Sequence, residues 1–205
     1  MIKKGLCAAS GALMAVSVLL ISVLIPALSV SRFEQALVKT VNMQALGISQ
    51  SDLSAFAVET MGYLRGERDS WQPHIPHEGV PEAFTQHMAE VRGAVEIAPW
   101  VIVALMICGA ALLWLGGWQR RWALRGVIGL IGFVALIVLW AAVDFHSFWM
   151  VLHKAFIKGG IFPYGEPVMQ LFPLNLFFQY IAPVCLWAFG LMGALCGVLM
   201  LKKRS

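Results

Sequence analysis

Four long apolar runs separated by polar stretches leave this chain few ways to fold. They extend from Leu6 to Val30, from Ile97 to Leu115, from about Gly126 to Val143, and from Ile181 to Leu201. Each is close to the roughly 20 helical residues that cross a hydrocarbon core. Inside lipid a helix satisfies its own backbone donors and acceptors, which an isolated strand does not. With 60% hydrophobic and 13% charged residues and a mean hydropathy of +0.77, the composition lies outside that of a soluble domain. The expected architecture is an all-α integral membrane protein, a single four-span domain over residues 1–205. The first run, preceded by Lys3 and Lys4, has a rival reading as a cleaved signal peptide with small residues near Ala27-Leu28-Ser29. A signal core is only about 7–15 residues long, so the run is read as a retained span.

The polar stretches carry the rest of the organisation. Residues 31–96 are expected to form an extracytoplasmic helical insertion between the first and second spans. Within it, Asp52 is placed as the cap of a helix running through Ala55, Phe56, Val58, Met61 and Leu64 and ended by Gly66. The stretch WQPHIPHEGV, Trp71 to Val80, contains two prolines and is excluded from regular helix. Pro81 then opens a second helix reaching Ile97, with Phe84, Met88, Val91 and Val95 on one stripe. Residues 144–178 are expected to form a membrane-edge segment, re-entrant or interfacial, between the third and fourth spans.

Charge sets the expected topology. With both termini and the Trp118–Arg125 loop in the cytoplasm, that side holds eight basic residues and no acid, while the other side carries a net −4. This is the positive-inside distribution, so 31–96 and 144–178 are placed together on the extracytoplasmic face of a bacterial cytoplasmic (inner) membrane. The basic residues cluster at span ends, with tryptophans flanking the Trp118–Arg125 loop, and form no patch of the kind that grips nucleic acid. Membrane lipid is the expected neighbour. No nucleic-acid partner and no obligate protein partner is expected.

Cys7, Cys108, Cys185 and Cys196 all lie in apolar runs without a Cys-x-x-Cys pair, so they are read as small hydrophobes rather than a disulfide framework. There is no Gly-x-Ser-x-Gly elbow and no phosphate-binding glycine loop, and no cofactor is expected. If the chain is an enzyme, its simplest chemistry is proton transfer by histidine. His87 and Glu90 are three residues apart on one helix face. His153 is a polar group in an apolar stretch at the membrane edge, where such groups are costly and line cavities or pathways. His146, seven residues earlier, is about 10 Å away along a helix, too far for both to ligate one ion. Asp144 and Glu166 flank this stretch, with two readings: they orient a histidine, or they are simply solvated. His74, His77 and Glu78, with His87, fit no standard zinc spacing, and no His-Glu-x-x-His is present, so no metal site is expected.

The stretch from Asp144 to Phe178 resembles the signature of the bacterial lipoprotein intramolecular transacylase (Lit) family. The matching residues are Phe145, Trp149, Leu152-His153, Phe156, Phe162, Glu166, Leu171-Phe172-Pro173 and Phe177-Phe178. A second block, His87-Met88-x-Glu90-Val91, resembles the family's His-Met-x-acid-Val, and Tyr63-Leu64-x-Gly66 resembles the helix end before it. Two positions depart from the family pattern. His146 stands where an acid is expected seven residues before the second histidine, and Phe84 where one is expected three residues before the first.

The resemblance implies an intramolecular acyl transfer without cofactor, acyl-enzyme or metal. The sn-2 acyl chain of a diacylglyceryl-cysteine lipoprotein moves to its α-amino group, giving an N-acyl, S-monoacylglyceryl (lyso) product. It implies His87 and His153 as the catalytic pair. Glu90, Asp144, His146, Tyr164, Glu166 and Asn175 are the candidates for positioning roles, and Tyr164, Asn175, Gln179, an indole or backbone amides for oxyanion donors. The competing reading is a non-enzymatic four-span scaffold or assembly factor whose aromatic residues form an interface belt.

Overall fold

The computed structural model describes residues 1–73, 80–156, 162 and 167–201, the side chains at 152, 153, 156 and 167 excepted. Among the described residues there are ten α-helices and no strand. Four helices are long and apolar enough to cross a membrane: α1 (Ile2–Ala27), α5 (Glu82–Leu115), α6 (Arg120–Val143) and α10 (Ile181–Met200). Between α1 and α5 lie α2 (Val30–Thr40), α3 (Met43–Leu46) and α4 (Gln50–Leu64). Between α6 and α10 lie α7 (Phe145–Phe156), α8 (Pro167–Leu171) and α9 (Leu174–Phe178). The protein is an all-α, multi-pass integral membrane protein.

The chain divides into two compact units. The first comprises Met1–Val23, Ala98–Val151 and Cys185–Ser205. Here α1 is the central helix: 39% of its span is buried, against 6–11% of the other three, whose outer faces therefore meet lipid. Small residues bring α1 close to its neighbours. A Cβ on Gly11 would overlap the carbonyl oxygen of Ala123, and one on Gly126 would overlap that of Ala8. Close approach of this kind is how spans pack where no hydrophobic force drives them together. Three serines on α1 are fully buried, and each has an acceptor. Ser10 donates to the Gly109 carbonyl on α5 at 2.6 Å, Ser17 to Leu13 at 3.1 Å and Ser22 to Val18 at 2.7 Å.

The second unit comprises Leu24–Ile97 and Leu152–Val184. Its core contains Phe33, Leu37, Leu53, Phe56, Trp71, Phe84, Met88, Val168, Leu171 and Leu176, contributed by α2, α4, α5, α8, α9 and the chain after α4. The helix α2 packs against α4 and α9, and the Ser54 hydroxyl of α4 donates to the Glu34 carboxylate of α2. The Arg65 side chain donates to the Leu28 carbonyl, through Nε at 2.9 Å, placing a cation on the exposed carbonyls at the end of α1.

Several boundaries differ from the sequence expectations. The first span stops at Ala27 rather than Val30, because Ser29 caps α2 by accepting from Arg32 N. The cap of α4 is Ser49; Asp52 sits three positions inside and accepts a hydrogen bond from Ser49 N, completing a capping box. Val58 is 51% exposed and so leaves the expected stripe, while Phe56, Met61 and Leu64 are buried. Gly66 ends α4 as expected, with φ +77° and bonds from Gly66 N to Tyr63 O and from Glu67 N to Gly62 O. The helix expected to reach Ile97 and the second span are one 34-residue helix, α5, with Pro99 inside it. A change from charged to apolar side chains does not interrupt backbone hydrogen bonding. Likewise α6 begins at Arg120, so most of the expected Trp118–Arg125 loop is helix.

Candidate active site

At 1.5 Å per residue α5 is roughly 50 Å long, well beyond a hydrocarbon core of about 30 Å. Its charged residues, Glu82, Glu90, Arg92 and Glu96, all lie before Ile97, so the first turns of α5 stand clear of lipid. His87 is on this part. Phe84 and Met88, on its own helix, are 3% and 4% exposed and anchor α5 in the core of the second unit. His87 is half-buried beside them.

The imidazole sits against two rings. Phe84, one turn back, lies 5.7 Å away between ring centres, as the three-residue spacing allows. Phe162 meets it edge to face at 5.5 Å. Phe162 also packs on Phe84 at 4.8 Å. Phe84 continues into Trp71 at 5.5 Å and Phe172 at 5.5 Å, and these reach Phe56 at 6.3 and 5.7 Å. Edge-to-face and tilted pairs at such separations are favourable beyond the area they bury. Phe33 of α2 joins these rings, 6.2 Å from Phe56 and 6.0 Å from Phe172, so His87 stands in a continuous aromatic cluster whose rings come from α2, α4, α5, the chain after α4 and the segment after α7.

Polar groups around this cluster are held in place. Trp71 is 1% exposed, and its indole N–H donates to the buried Thr60 hydroxyl at 3.2 Å. Arg92, further along α5, donates to Glu96 at 2.6 Å and to the Arg68 carbonyl at 2.7 Å, and its guanidinium lies 4.9 Å from the Tyr63 ring centre. These contacts tie the end of α4 to α5. Tyr180 is half-buried in the same unit, and burial pushes its phenol up to about 12 against a smaller opposing effect of the Arg32 charge.

The other sequence candidates are distributed as follows. Glu90 is half-buried one turn from His87. Asn175 is exposed on α9. Asp144 caps α7, its carboxylate accepting from Ser147 N at 3.0 Å. The Ser147 backbone donor, then its hydroxyl, then the nearby His146 hold the Asp144 carboxyl below the usual carboxylate range. His146 is exposed in the first turn of α7. Asp144 and His146 belong to the first unit. His153 lies on α7 two turns beyond His146, in the part of the chain assigned to the second unit with His87; its side chain is outside the described residues. Tyr164 and Glu166 are outside the described residues, as are His74, His77 and Glu78. Among the described residues no cluster of three or more His, Cys, Asp or Glu is arranged to hold a metal ion.

In sequence Phe84 is part of an apolar stripe and a departure from the family pattern. In the structure it is a ring partner of His87. The three-residue spacing was the available signal. The contact of Phe162 is long-range and has no local signature.

No curated protein matches the sequence. The fold is similar to the in meso structure of the membrane-integral lipoprotein intramolecular transacylase Lit from Bacillus cereus, with a TM-score of 0.75 and 16% identity over 98% of this chain and 97% of that one. Structures of two variants of that protein, one with a histidine replaced by arginine and one by alanine, match at TM-score 0.72 and 17% identity, covering 98% of this chain and 93% and 95% of theirs. A family model for lipoprotein intramolecular transacylase Lit matches residues 9–178, a stretch that includes both histidine-bearing blocks. The chain belongs to the lipoprotein intramolecular transacylase Lit family, and is a membrane-integral acyltransferase.

Proposed function

We infer that the protein transfers the sn-2 acyl chain of a diacylglyceryl-cysteine lipoprotein to the α-amine of the same cysteine, with His87 and His153 as proton carriers. The observation that carries this reading is the packing of Phe162, nine residues after His153, on the His87 imidazole. It supports a site in which the chain that follows His153 meets the first turns of α5.

The reaction needs little beyond proton transfer and positioning. An α-amine has a pKa near 8, so part of it is neutral at working pH. Its nitrogen attacks the ester carbonyl carbon, forming the C–N bond and a tetrahedral oxyanion. The ammonium that results is strongly acidic and gives its proton to a neutral imidazole, whose ordinary pKa is near 6.5. The C–O bond then breaks, and the same or the second imidazole returns a proton to the glyceryl oxygen. Atoms and charge balance without an acyl-enzyme, cofactor or metal. Both reacting groups are on one molecule, so holding them together removes several kcal/mol of entropic cost. Tyr164, Asn175, Gln179, an indole or backbone amides are available as oxyanion donors. Glu90, Asp144, His146 and Glu166 are the candidates for orienting the histidines.

On this reading residues 31–96 and 144–178 share the extracytoplasmic face of the bacterial inner membrane, with both termini in the cytoplasm. The substrate is membrane-anchored and enters from the outer leaflet; no protein partner is required. The test is tandem mass spectrometry of the N-terminal peptide of a diacylglyceryl lipoprotein after incubation with wild type, His87→Ala or His153→Ala. Total mass does not change, so fragmentation must locate the acyl group. An acyl chain on nitrogen with wild type and with neither folded variant is expected. Full activity in either variant removes that residue from the mechanism, and an unmodified amine throughout favours the scaffold.

A further inference from the structure

In the first unit α1 and α6 bring two cations to one indole. Lys4 Nζ lies 5.3 Å from the centre of the Trp122 ring, and the Arg125 guanidinium carbon lies 4.1 Å from it. The two charges are thus separated by no more than the sum of these distances, about one Debye length at physiological salt. Neither has an ion-pair partner among the described residues. The sequence contains no acid before Glu34 and none between Glu96 and Asp144. Arg120 and Arg121 add two more cations at the start of α6. A single basic side chain at a membrane surface is satisfied by snorkelling and by an aromatic face. Two that converge on one ring repel each other, and an anion between them relieves the repulsion.

The surface beside this pair is suited to an acyl chain. Arg125, Gly129, Gly132 and Leu136 follow one another at four- and three-residue spacing along one face of α6. A Cβ on Gly129 or Gly132 would have no atom within 4 Å, and Leu136 is 66% exposed. A shallow apolar track therefore runs from the cationic pair along the span. Trp114 at the end of α5 and Trp118 just before α6, 68% and 56% exposed, are typical of the headgroup level.

We propose that Lys4, Trp122 and Arg125 bind the phosphate of an anionic phospholipid whose acyl chain lies along Gly129, Gly132 and Leu136. The site is separate from the transacylation chemistry and uses none of its residues.

Native mass spectrometry of the full chain, released from detergent with phosphatidylglycerol or phosphatidylcholine of matched acyl chains, tests this. Wild type retains phosphatidylglycerol in preference. A base close to an anionic surface is worth about fivefold in affinity, so the Lys4→Gln/Arg125→Gln double variant binds roughly 25-fold more weakly. The charge-preserving Lys4→Arg/Arg125→Lys variant retains the lipid. Gly129→Trp, which fills the track, weakens retention while leaving the cations. If the double glutamine variant lacks a cooperative melt, Lys4→Gln and Arg125→Gln singly report the same loss at about fivefold each. Equal retention of the two lipids, undiminished retention in the glutamine variants, or displacement of the lipid by millimolar inorganic phosphate overturns the proposal.

Discussion

Replacing Thr60 with valine tests whether the aromatic cluster under His87 depends on one buried hydrogen bond. Threonine and valine have nearly the same shape, so the change leaves the packing of α4 in place and removes only the acceptor of the Trp71 indole N–H, now 3.2 Å away. Trp71 is 1% exposed and Thr60 fully buried, so water does not replace the lost partner. A buried donor left unsatisfied costs about 1–3 kcal/mol. Taking about 2 kcal/mol, a chain of this size melts about 4–8 °C lower. The assay is thermal unfolding in detergent of wild type, Thr60→Val, Trp71→Phe and the double variant. Trp71→Phe is itself destabilising through lost volume, but it removes the donor. Thr60→Val should therefore cost little in that background, and the two losses should not add. A Thr60→Val melt within a degree of wild type, or the same loss in both backgrounds, refutes the reasoning.

Phe162→Leu should lower transacylation per folded molecule, because a branched chain offers no ring edge to the His87 imidazole, while Phe162→Tyr keeps most of the activity; equal rates for the two would count against an orienting role. Gly126→Ala places a Cβ 2.8 Å from the Ala8 carbonyl carbon and 3.1 Å from Ala12 N, besides overlapping the Ala8 oxygen. It should cost about 1–3 kcal/mol, whereas Gly193→Ala, with nothing within 4 Å, should melt at or above wild type because alanine is the better helix former. Tyr180 gives an alkaline signature. Its phenol is pushed up to about 12 by burial, against about 10 when unfolded. The unfolded chain therefore loses this proton first, and stability falls as pH rises from about 10 to 12. Tyr180→Phe should flatten that fall in melts compared at pH 9 and 11; an unchanged slope would rule Tyr180 out as its source.

The four spans were legible because length and hydropathy alone decide them, and the ends at Val143 and Gly116-Gly117 were marked by Asp144 and by glycine. The join within α5 was not, since side-chain polarity changes at Ile97 while the helix continues. The helix α2 went unread although Phe33, Ala36 and Leu37 stand at helical spacing and are buried; interspersed charges masked a short amphipathic face. At the site, His87 was singled out by its neighbours Met88 and Glu90 and their family resemblance. Its contact with Phe162 depends on tertiary packing across 75 residues, which no local pattern encodes. The sequence makes Asp144 a candidate for orienting a histidine, and its carboxylate caps α7, a use that the following Phe-His-Ser allows equally well.

The buried serines of α1 bear on how the protein is made. Ser10 and its acceptor, Gly109, are 99 residues apart. At about 5–20 residues per second, Ser10 is synthesised about 5–20 seconds before that carbonyl. Ser17 and Ser22 hydrogen-bond to carbonyls four residues earlier in α1, so they need no other helix during this interval. Ser17 gains a second acceptor on α5, the Ile102 carbonyl at 3.5 Å, whereas the acceptor of Ser10 lies on α5 alone. The most buried of the four spans is thus made before its α5 partner exists, and two of its three buried serines have an acceptor within α1 itself.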